Sequence, residues 1–203
     1  QLPSRAVTFF NFLASHDGIG LNPVRGILPQ ADIDALVQQT LDHGGLISTK
    51  HNTDGSQSPY EMNINYFDAL SDPAGSEPLD LQAARFMAAQ AIMLMIVGMP
   101  GIYFHSLFGS RGWPEGVRET GRNRTLNREK LTRERLEAGL NDPSSLRRRI
   151  FEAYADLLRA RASAPAFHPL GVQRVVDAGP HVFALWRTSP DGASRVLALL
   201  LGI

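Results

Sequence analysis

The sequence of 203 residues contains no cysteine, which excludes a disulfide framework and a thiolate metal site. It has no excess of one charge either, because 20 lysine and arginine residues balance 20 aspartate and glutamate residues. No overall field therefore draws the chain to nucleic acid or to an anionic membrane surface, and any anion site must be local. We expect no nucleic-acid partner, and a reducing cytoplasm is the default compartment.

Long apolar runs are also missing. The most hydrophobic stretch, residues 91–97, is far shorter than the ~20 residues that cross a bilayer, and the N-terminal residues lack the pattern of a signal peptide. Walker loops, GxGxxG patterns and metal-spaced histidine clusters do not occur in the sequence. We therefore expect no membrane partner, no metal and no organic cofactor.

What the sequence does contain is a pattern of buried strands and helices. Residues 7–13 are nearly all apolar or aromatic, which predicts a strand covered on both faces. A helix is predicted from Ser76 to Val97, and Gly98 ends it before a second strand at residues 102–105. This order of strand, excursion, helix and strand is the βαβ pattern of an α/β fold.

Other segments have weaker but readable patterns. Asp32 is a plausible N-cap for an amphipathic helix over residues 33–41, and the polar residues 46–59 are expected to form a loop. A second amphipathic helix is predicted over residues 145–162. The last predicted elements are three antiparallel strands, at residues 172–176, 181–187 and 195–201.

Asp17 is the first candidate for chemistry. Side chains at the C-terminal ends of strands point into the active site of an α/β barrel, and Asp17 follows the strand predicted at residues 7–13. The alternative is that Asp17 and Gly18 only turn the chain, with His16 as a cap. The His-Asp dipeptide by itself does not distinguish the two interpretations.

Four segments, in the same order, carry a resemblance to a known family. Residues 10–20 read FNFLASHDGIG, residues 58–66 read SPYEMNINY, residues 99–104 read MPGIYF and residues 121–128 read GRNRTLNR. They resemble the seventh-strand motif, the mobile active-site loop, the eighth strand and the arginine loop of the sucrose phosphorylase-like branch of the α-amylase superfamily (glycoside hydrolase family 13). The wording of residues 63–70 and 109–113 is most similar to the glucosylglycerate phosphorylases.

The resemblance implies a fold and a division into domains. Residues 1–168 are expected to be the C-terminal part of a catalytic (β/α)8 TIM barrel, with about strands 7 and 8, their helices and a loop excursion at residues 21–75. Residues 169–203 are expected to begin a small antiparallel β domain. Because the sequence ends on an apolar strand, we expect this domain to be truncated. The resemblance, which includes only about two of the eight barrel strands, implies that the chain is a C-terminal fragment.

The resemblance also implies roles for single residues. Asp17 corresponds to the carboxylate that accepts hydrogen bonds from the donor glucosyl ring and stabilises an oxocarbenium-like transition state, and His16 binds the same hydroxyls. Tyr60 and Glu61 occupy positions that contact the acceptor or phosphate. His105, at the end of the predicted strand, is left between the core and the surroundings of the site.

One arginine of the arginine loop should reach the same ring, because a forked guanidinium can hold two adjacent oxygens. Counting from Gly121 favours Arg122, whereas counting back from Asn127 favours Arg124, so the two stay open. A solvated basic loop is the alternative for both.

The activity implied is that of a retaining glycoside phosphorylase. It moves glucose from an α-glucoside such as glucosylglycerate or sucrose to inorganic phosphate, the co-substrate, and gives α-glucose 1-phosphate. The nucleophile and the acid/base belong to the fourth and fifth strands, which would precede residue 1, so the isolated chain is expected to be inactive. A hydrolase or transglucosidase of the same superfamily, and a non-catalytic fragment, are the alternatives. Unpaired barrel edges predict homodimers or edge-mediated self-association.

Overall fold

The computed structural model describes residues 2–4 and 6–201. The apolar end predicted for the chain at residues 202–203 lies outside the described residues. Across the described part, no helix is long and apolar enough to cross a membrane. The elements in chain order are β1 (Phe10–Asn11), β2 (Ile19–Gly20), α1 (Gln30–Asp42), β3 (Leu46–His51), β4 (Gln57–Asn63), α2 (Tyr66–Leu70), α3 (Leu79–Met95), β5 (Met99–Pro100), α4 (Phe104–Leu107), α5 (Pro114–Thr120), α6 (Arg133–Asn141), α7 (Leu146–Ser163), β6 (Val172–Asp177), β7 (Val182–Thr188) and β8 (Arg195–Leu201).

The strands β1 and β5 form a short parallel pair, as neighbouring strands of a barrel do. The amide of Gly101 donates to the carbonyl oxygen of Asn11 at 2.7 Å. Gly98, which lies between α3 and β5, has a φ of +130°, and a Cβ on it would lie 2.5 Å from Nδ2 of Asn11. Only glycine therefore lets the chain pass so close to β1 in this conformation.

The excursion between β1 and α3 carries a sheet of its own. β2 and β3 pair with opposite edges of β4, and each of them runs antiparallel to β4. Helix α1 packs on this sheet around a small apolar cluster of Leu21, Ile33, Met62 and Ile64. The excursion is thus held by its own core rather than left as a free loop.

The main core lies between α2, α3 and α7. Phe67, Phe86, Ile150 and Tyr154 are all fully buried there. The Tyr154 hydroxyl donates to Oε1 of Gln90 at 2.7 Å, and burial raises the pKa of this tyrosine. Because a buried hydroxyl costs free energy without a partner, this hydrogen bond is what allows a tyrosine in the core.

Strands β6, β7 and β8 form an antiparallel sheet after α7. Arg187 of β7 is fully buried and donates to the carbonyl oxygens of Met95 at 2.9 Å and His168 at 3.1 Å. Burial and the neighbouring Arg161 lower the pKa of Arg187 to about 10. Its contact with Met95 ties the sheet to the C-terminal end of α3.

The predicted fold class is confirmed: the chain is α/β, with a parallel strand pair followed by a small antiparallel sheet. The helix predicted at residues 145–162 is α7, with Ser145 as its N-cap, and the last three strands form β6, β7 and β8. A domain boundary between residues 168 and 169 stays a prediction.

Several local predictions are wrong. In the segment 7–13 only β1 is a strand, and Phe10 and Phe12 are 66% and 57% exposed, because no described residue covers them. Residues 46–59 form most of the β3–β4 hairpin, with a turn at residues 52–56, since cross-strand pairing overrides their polarity. Helix α1 begins after Pro29, so Asp32 lies in its first turn and is not its N-cap.

The second strand is shorter and earlier than predicted. Pairing with β1 ends at Pro100, and residues 104–107 form the helical turn α4. His105 therefore lies in a helix and not at the end of a strand. It is 4% exposed, and its ring nitrogens contact Oγ of Ser110 at 2.9 Å and the carbonyl oxygen of Glu129 at 3.0 Å, so it is a core residue.

Candidate active site

The site is built on a tight turn at residues 15–18. Backbone hydrogen bonds join Ser15 and Gly18 in both directions, at 3.1 and 3.2 Å, and the Ser15 hydroxyl accepts from the amide of Asp17 at 3.1 Å. Gly18 has a φ of +130°, and a Cβ there would lie 2.2 Å from the carbonyl oxygen of Met62 in β4. The turn is therefore pressed against the excursion sheet, and this contact requires glycine.

Three nitrogen-bearing side chains surround the carboxylate of Asp17. Nη2 of Arg128 donates to its Oδ1, Nη1 of Arg124 lies 3.4 Å from its Oδ2, and Nε2 of His16 lies 3.2 Å from Oδ1. The side chain of Asp17 is 30% exposed. Asp17 is therefore held by basic side chains and still offers carboxylate oxygens that a ligand can reach.

Arg124 also pairs with a second carboxylate. Its Nε donates to Oε1 of Glu61 at 3.0 Å and its Nη2 donates to Oε2 at 2.8 Å, which is a bidentate geometry. The side chain of Glu61 is only 6% exposed. These hydrogen bonds raise the pKa of Arg124. One guanidinium thus bridges a buried carboxylate and an accessible one.

The two arginines that the sequence left open are separated by the structure. Arg124 faces Asp17 and Glu61, whereas Arg122 is exposed and its side chain forms no ion pair among the described residues. Tyr60 lies at the edge of the group, with its hydroxyl 3.5 Å from Nη2 of Arg124. Arg124, which counting back from Asn127 favours, is therefore the one of the two that lies beside Asp17, and its contact with the sugar stays a prediction.

Two further residues of the site were not predicted. Arg128 binds Asp17 directly, and its Nε also donates to the carbonyl oxygen of His16 at 3.1 Å. Nδ2 of Asn63 donates to the carbonyl oxygen of Asp17 at 2.9 Å. Arg128 belongs to the arginine-loop motif, and Asn63 stands two residues after Glu61. The motif and the two-residue spacing in the sequence could therefore have pointed to these two residues.

The arginine loop is fixed by a 3-10 turn over Asn123–Asn127. Tyr103 follows β5, and its hydroxyl donates to the carbonyl oxygen of Asn127. The amide of Trp113 donates to the carbonyl oxygen of Leu126 at 2.9 Å. The turn presents Arg124 and Arg128 from its two ends towards the same carboxylate.

An open cavity of about 240 Å³ lies beside the turn at residues 15–18. Aromatic rings of Phe10, Phe12 and Tyr103 line it together with His16. Among the residues that the structure describes, no group of three or more histidine, aspartate and glutamate side chains could hold a metal ion. The arrangement offers hydrogen-bond acceptors and donors to a polar ligand, next to an apolar wall.

The chain was compared with known proteins by sequence and by fold. No family model matches the chain. A protein of Spirochaeta thermophila named glucosylglycerate phosphorylase is 53% identical over 194 residues, which are 96% of this chain and 32% of that protein. A protein of Escherichia coli with the same name is 42% identical over 191 residues, which are 94% of this chain and 34% of that protein.

The fold has a solved counterpart in sucrose 6F-phosphate phosphorylase from Thermoanaerobacter thermosaccharolyticum. The match has a TM-score of 0.75 at 21% identity and covers 94% of this chain and 36% of the other. The chain thus spans about a third of the length of the relatives that it matches. Over nearly its whole length, this chain is similar in sequence to proteins named glucosylglycerate phosphorylase and similar in fold to a sucrose 6F-phosphate phosphorylase.

Proposed function

We propose that the whole protein is a retaining glycoside phosphorylase. It moves a glucosyl group from an α-glucoside, such as glucosylglycerate or sucrose, to inorganic phosphate and releases α-glucose 1-phosphate. The observation that carries this proposal is the half-buried Asp17, held by Arg124 and Arg128 in a chain that is 53% identical to a glucosylglycerate phosphorylase. Phosphate is the co-substrate, and the reaction needs no other cofactor.

In this proposal Asp17 acts on the donor sugar. Its carboxylate accepts hydrogen bonds from two ring hydroxyls, and these bonds strengthen as the ring flattens towards the transition state. Nη1 of Arg124, beside Oδ2 of Asp17, donates to a neighbouring sugar oxygen. His16, whose side chain is 62% exposed, contacts the same hydroxyls.

The carboxylates that attack and protonate the glycosidic bond come from outside the span of this chain. Retaining enzymes need two carboxyl groups about 5–5.5 Å apart. The other carboxylate that contacts Arg124 is Glu61, and it is buried and ion-paired. We propose that the missing pair belongs to the part of the relatives that this chain does not span, and that the 203 residues alone are inactive.

The acceptor side of the site involves the β3–β4 hairpin. Tyr60 is proposed to contact the acceptor or phosphate, because its hydroxyl lies at the accessible edge of Arg124. Glu61 shares the position predicted for such contacts, but its carboxylate is already bound by Arg124. The protein is proposed to work in the cytoplasm on an α-glucoside and phosphate.

The test uses the full-length protein with three donors: glucosylglycerate, sucrose and sucrose 6F-phosphate. Each is incubated with and without phosphate, and α-glucose 1-phosphate and free glucose are measured. We expect phosphate-dependent formation of α-glucose 1-phosphate, fastest with glucosylglycerate. Release of glucose at a rate that phosphate does not change would identify a hydrolase and refute the proposal. The Asp17→Asn protein serves as the inactive control.

A further inference from the structure

Two polar side chains are buried on one face of β4. Glu61 and Asn63 are 5% and 0% exposed. Residues two apart in a strand point to the same face, so the pair forms a short row beneath the turn at residues 15–18. Nδ2 of Asn63 lies 3.3 Å from Oε1 of Glu61, and Oδ1 of Asn63 accepts from the Ser48 hydroxyl at 2.6 Å.

Each member of the row holds a different part of the site. Asn63 donates to the backbone carbonyl of Asp17, and Glu61 accepts two hydrogen bonds from Arg124. Asp17 and Arg124 belong to segments that are far apart in the sequence. Their separation is therefore set by two side chains of one strand.

The hydrogen-bond capacity of Arg124 shows what Glu61 leaves free. A guanidinium has five N–H donors, one on Nε and two on each Nη. Glu61 takes Nε and Nη2, and the hydroxyl of Tyr60 lies beside Nη2 as well. Nη1 remains, 3.4 Å from Asp17, with a donor for an oxygen of a ligand.

Burial and exposure explain why this contact matters. The Arg124 side chain is 42% exposed, so packing alone does not fix its orientation. A bidentate carboxylate fixes both the direction and the plane of a guanidinium. A buried carboxylate is in turn costly unless it is paired, so Glu61 and Arg124 constrain each other.

We propose that Glu61 is a positioning residue that acts through Arg124, and that it does not bind the acceptor or phosphate. Asn63 has the corresponding positioning role for Asp17. This inference rests on the proposed function, because its readout is transfer of the donor glucosyl group. It assigns the hairpin a role on the donor side of the site. A hairpin that moves away breaks the hydrogen bond from Asn63 to Asp17 and those from Arg124 to Glu61 together.

The first experiment compares two reactions of the full-length protein carrying Glu61→Gln. A glutamine keeps the shape but loses the charge, so we expect kcat to fall by roughly tenfold to a hundredfold, as for a lost charge-assisted hydrogen bond. The fall should be the same for phosphorolysis and for the slow hydrolysis measured without phosphate, and KM for phosphate should not change. A raised KM for phosphate with unchanged hydrolysis would show that Glu61 binds the acceptor and would overturn the inference.

The second experiment is a double-mutant cycle. If Glu61 acts only through Arg124, the variant Glu61→Gln/Arg124→Ala should lose no more activity than Arg124→Ala alone, since alanine removes every contact of this side chain with Glu61. Additive losses contradict the inference. Gln57→Ala is the matched control, because Gln57 lies on the same strand, is exposed, and its side chain is hydrogen-bonded only to Thr49 among the described residues. Its activity should equal that of the parent protein.

Folding is checked by thermal unfolding of each variant. If Glu61→Gln does not fold, Glu61→Asp replaces it in both experiments, since it keeps the charge but shortens the reach to Arg124. If the parent protein hydrolyses its donor without any response to phosphate, the proposed function fails. The double-mutant cycle on hydrolysis still decides the role of Glu61.

Discussion

Arg128 donates a hydrogen bond through Nη2 to Oδ1 of Asp17, although 111 positions separate the two residues in the sequence. The same side chain binds the carbonyl oxygen of His16 through Nε. Arg128 therefore holds both the carboxylate and the backbone of the turn at residues 15–18. This contact joins the segment after β1 to the arginine loop after β5.

Loss of the Asp17 charge should abolish most turnover. In the full-length protein, Asp17→Asn is expected to lower kcat by at least about two orders of magnitude, because an electrostatic stabiliser of the transition state is removed. Steady-state kinetics with glucosylglycerate and phosphate measure this. Asp54→Asn, in the exposed turn of the β3–β4 hairpin, is the control and should be unaffected. Turnover near that of the parent protein would exclude the proposed role of Asp17.

Arg128 and Arg122 should differ sharply in their effect. Arg128→Ala removes a direct partner of Asp17 and is expected to lower kcat/KM by roughly tenfold or more. Arg122→Ala removes an exposed side chain without an ion pair among the described residues, so it should change kcat/KM by less than about twofold. The two variants are compared under identical conditions. The reverse order would mean that Arg122 reaches the site in the working enzyme.

The stability of the protein should fall in mild acid because of His105. Burial lowers the pKa of His105 below its ordinary value of 6.5, so the unfolded chain binds a proton more readily than the folded one. The free energy of unfolding therefore decreases as the pH drops below 6.5. Thermal unfolding between about pH 8 and 5 measures this in the parent and in His105→Gln, which should lose part of the pH dependence. An unchanged dependence in the variant would contradict the prediction.

The isolated 203-residue chain should self-associate. Phe10 and Phe12 are more than half exposed, beside a strand whose outer edge no described residue pairs with. Sedimentation velocity over a range of concentrations is expected to show dimers or larger species. Phe10→Lys/Phe12→Lys should shift the distribution towards monomer. A parent chain that is monomeric at all concentrations would refute this prediction.

The isolated chain is also predicted to be inactive. Measurable phosphorolysis by the 203-residue chain would refute that prediction.

Local patterns in the sequence were sufficient for several elements. The amphipathic pattern of residues 145–162 and the apolar composition of residues 195–201 predicted α7 and β8 because neighbouring residues determine a helical or extended backbone. The FNFLASHDGIG motif, together with three further segments, gave the resemblance to the family, and it predicted Asp17 after a strand. These features depend on contiguous residues.

Pairings across the chain could not be read in this way. The β3–β4 hairpin was predicted as a loop, because most residues of its strands are polar and the pairing between the strands cannot be read from either segment alone. The segment 7–13 was predicted to be buried, because its composition fits a covered strand, although the described residues do not cover it.

The sequence by itself determined which residue types the site has: one aspartate, one histidine, one tyrosine, one glutamate and a loop with three arginines. The tertiary structure decided which arginine meets which carboxylate, because Glu61 and Arg124 stand 63 positions apart and Asp17 and Arg128 stand 111 apart. Spacing along the chain carries no information on such contacts. They arise because β4 and the 3-10 turn pack against the turn at residues 15–18. The buried carboxylate of Glu61 in β4 then needs a charged partner, which Arg124 provides.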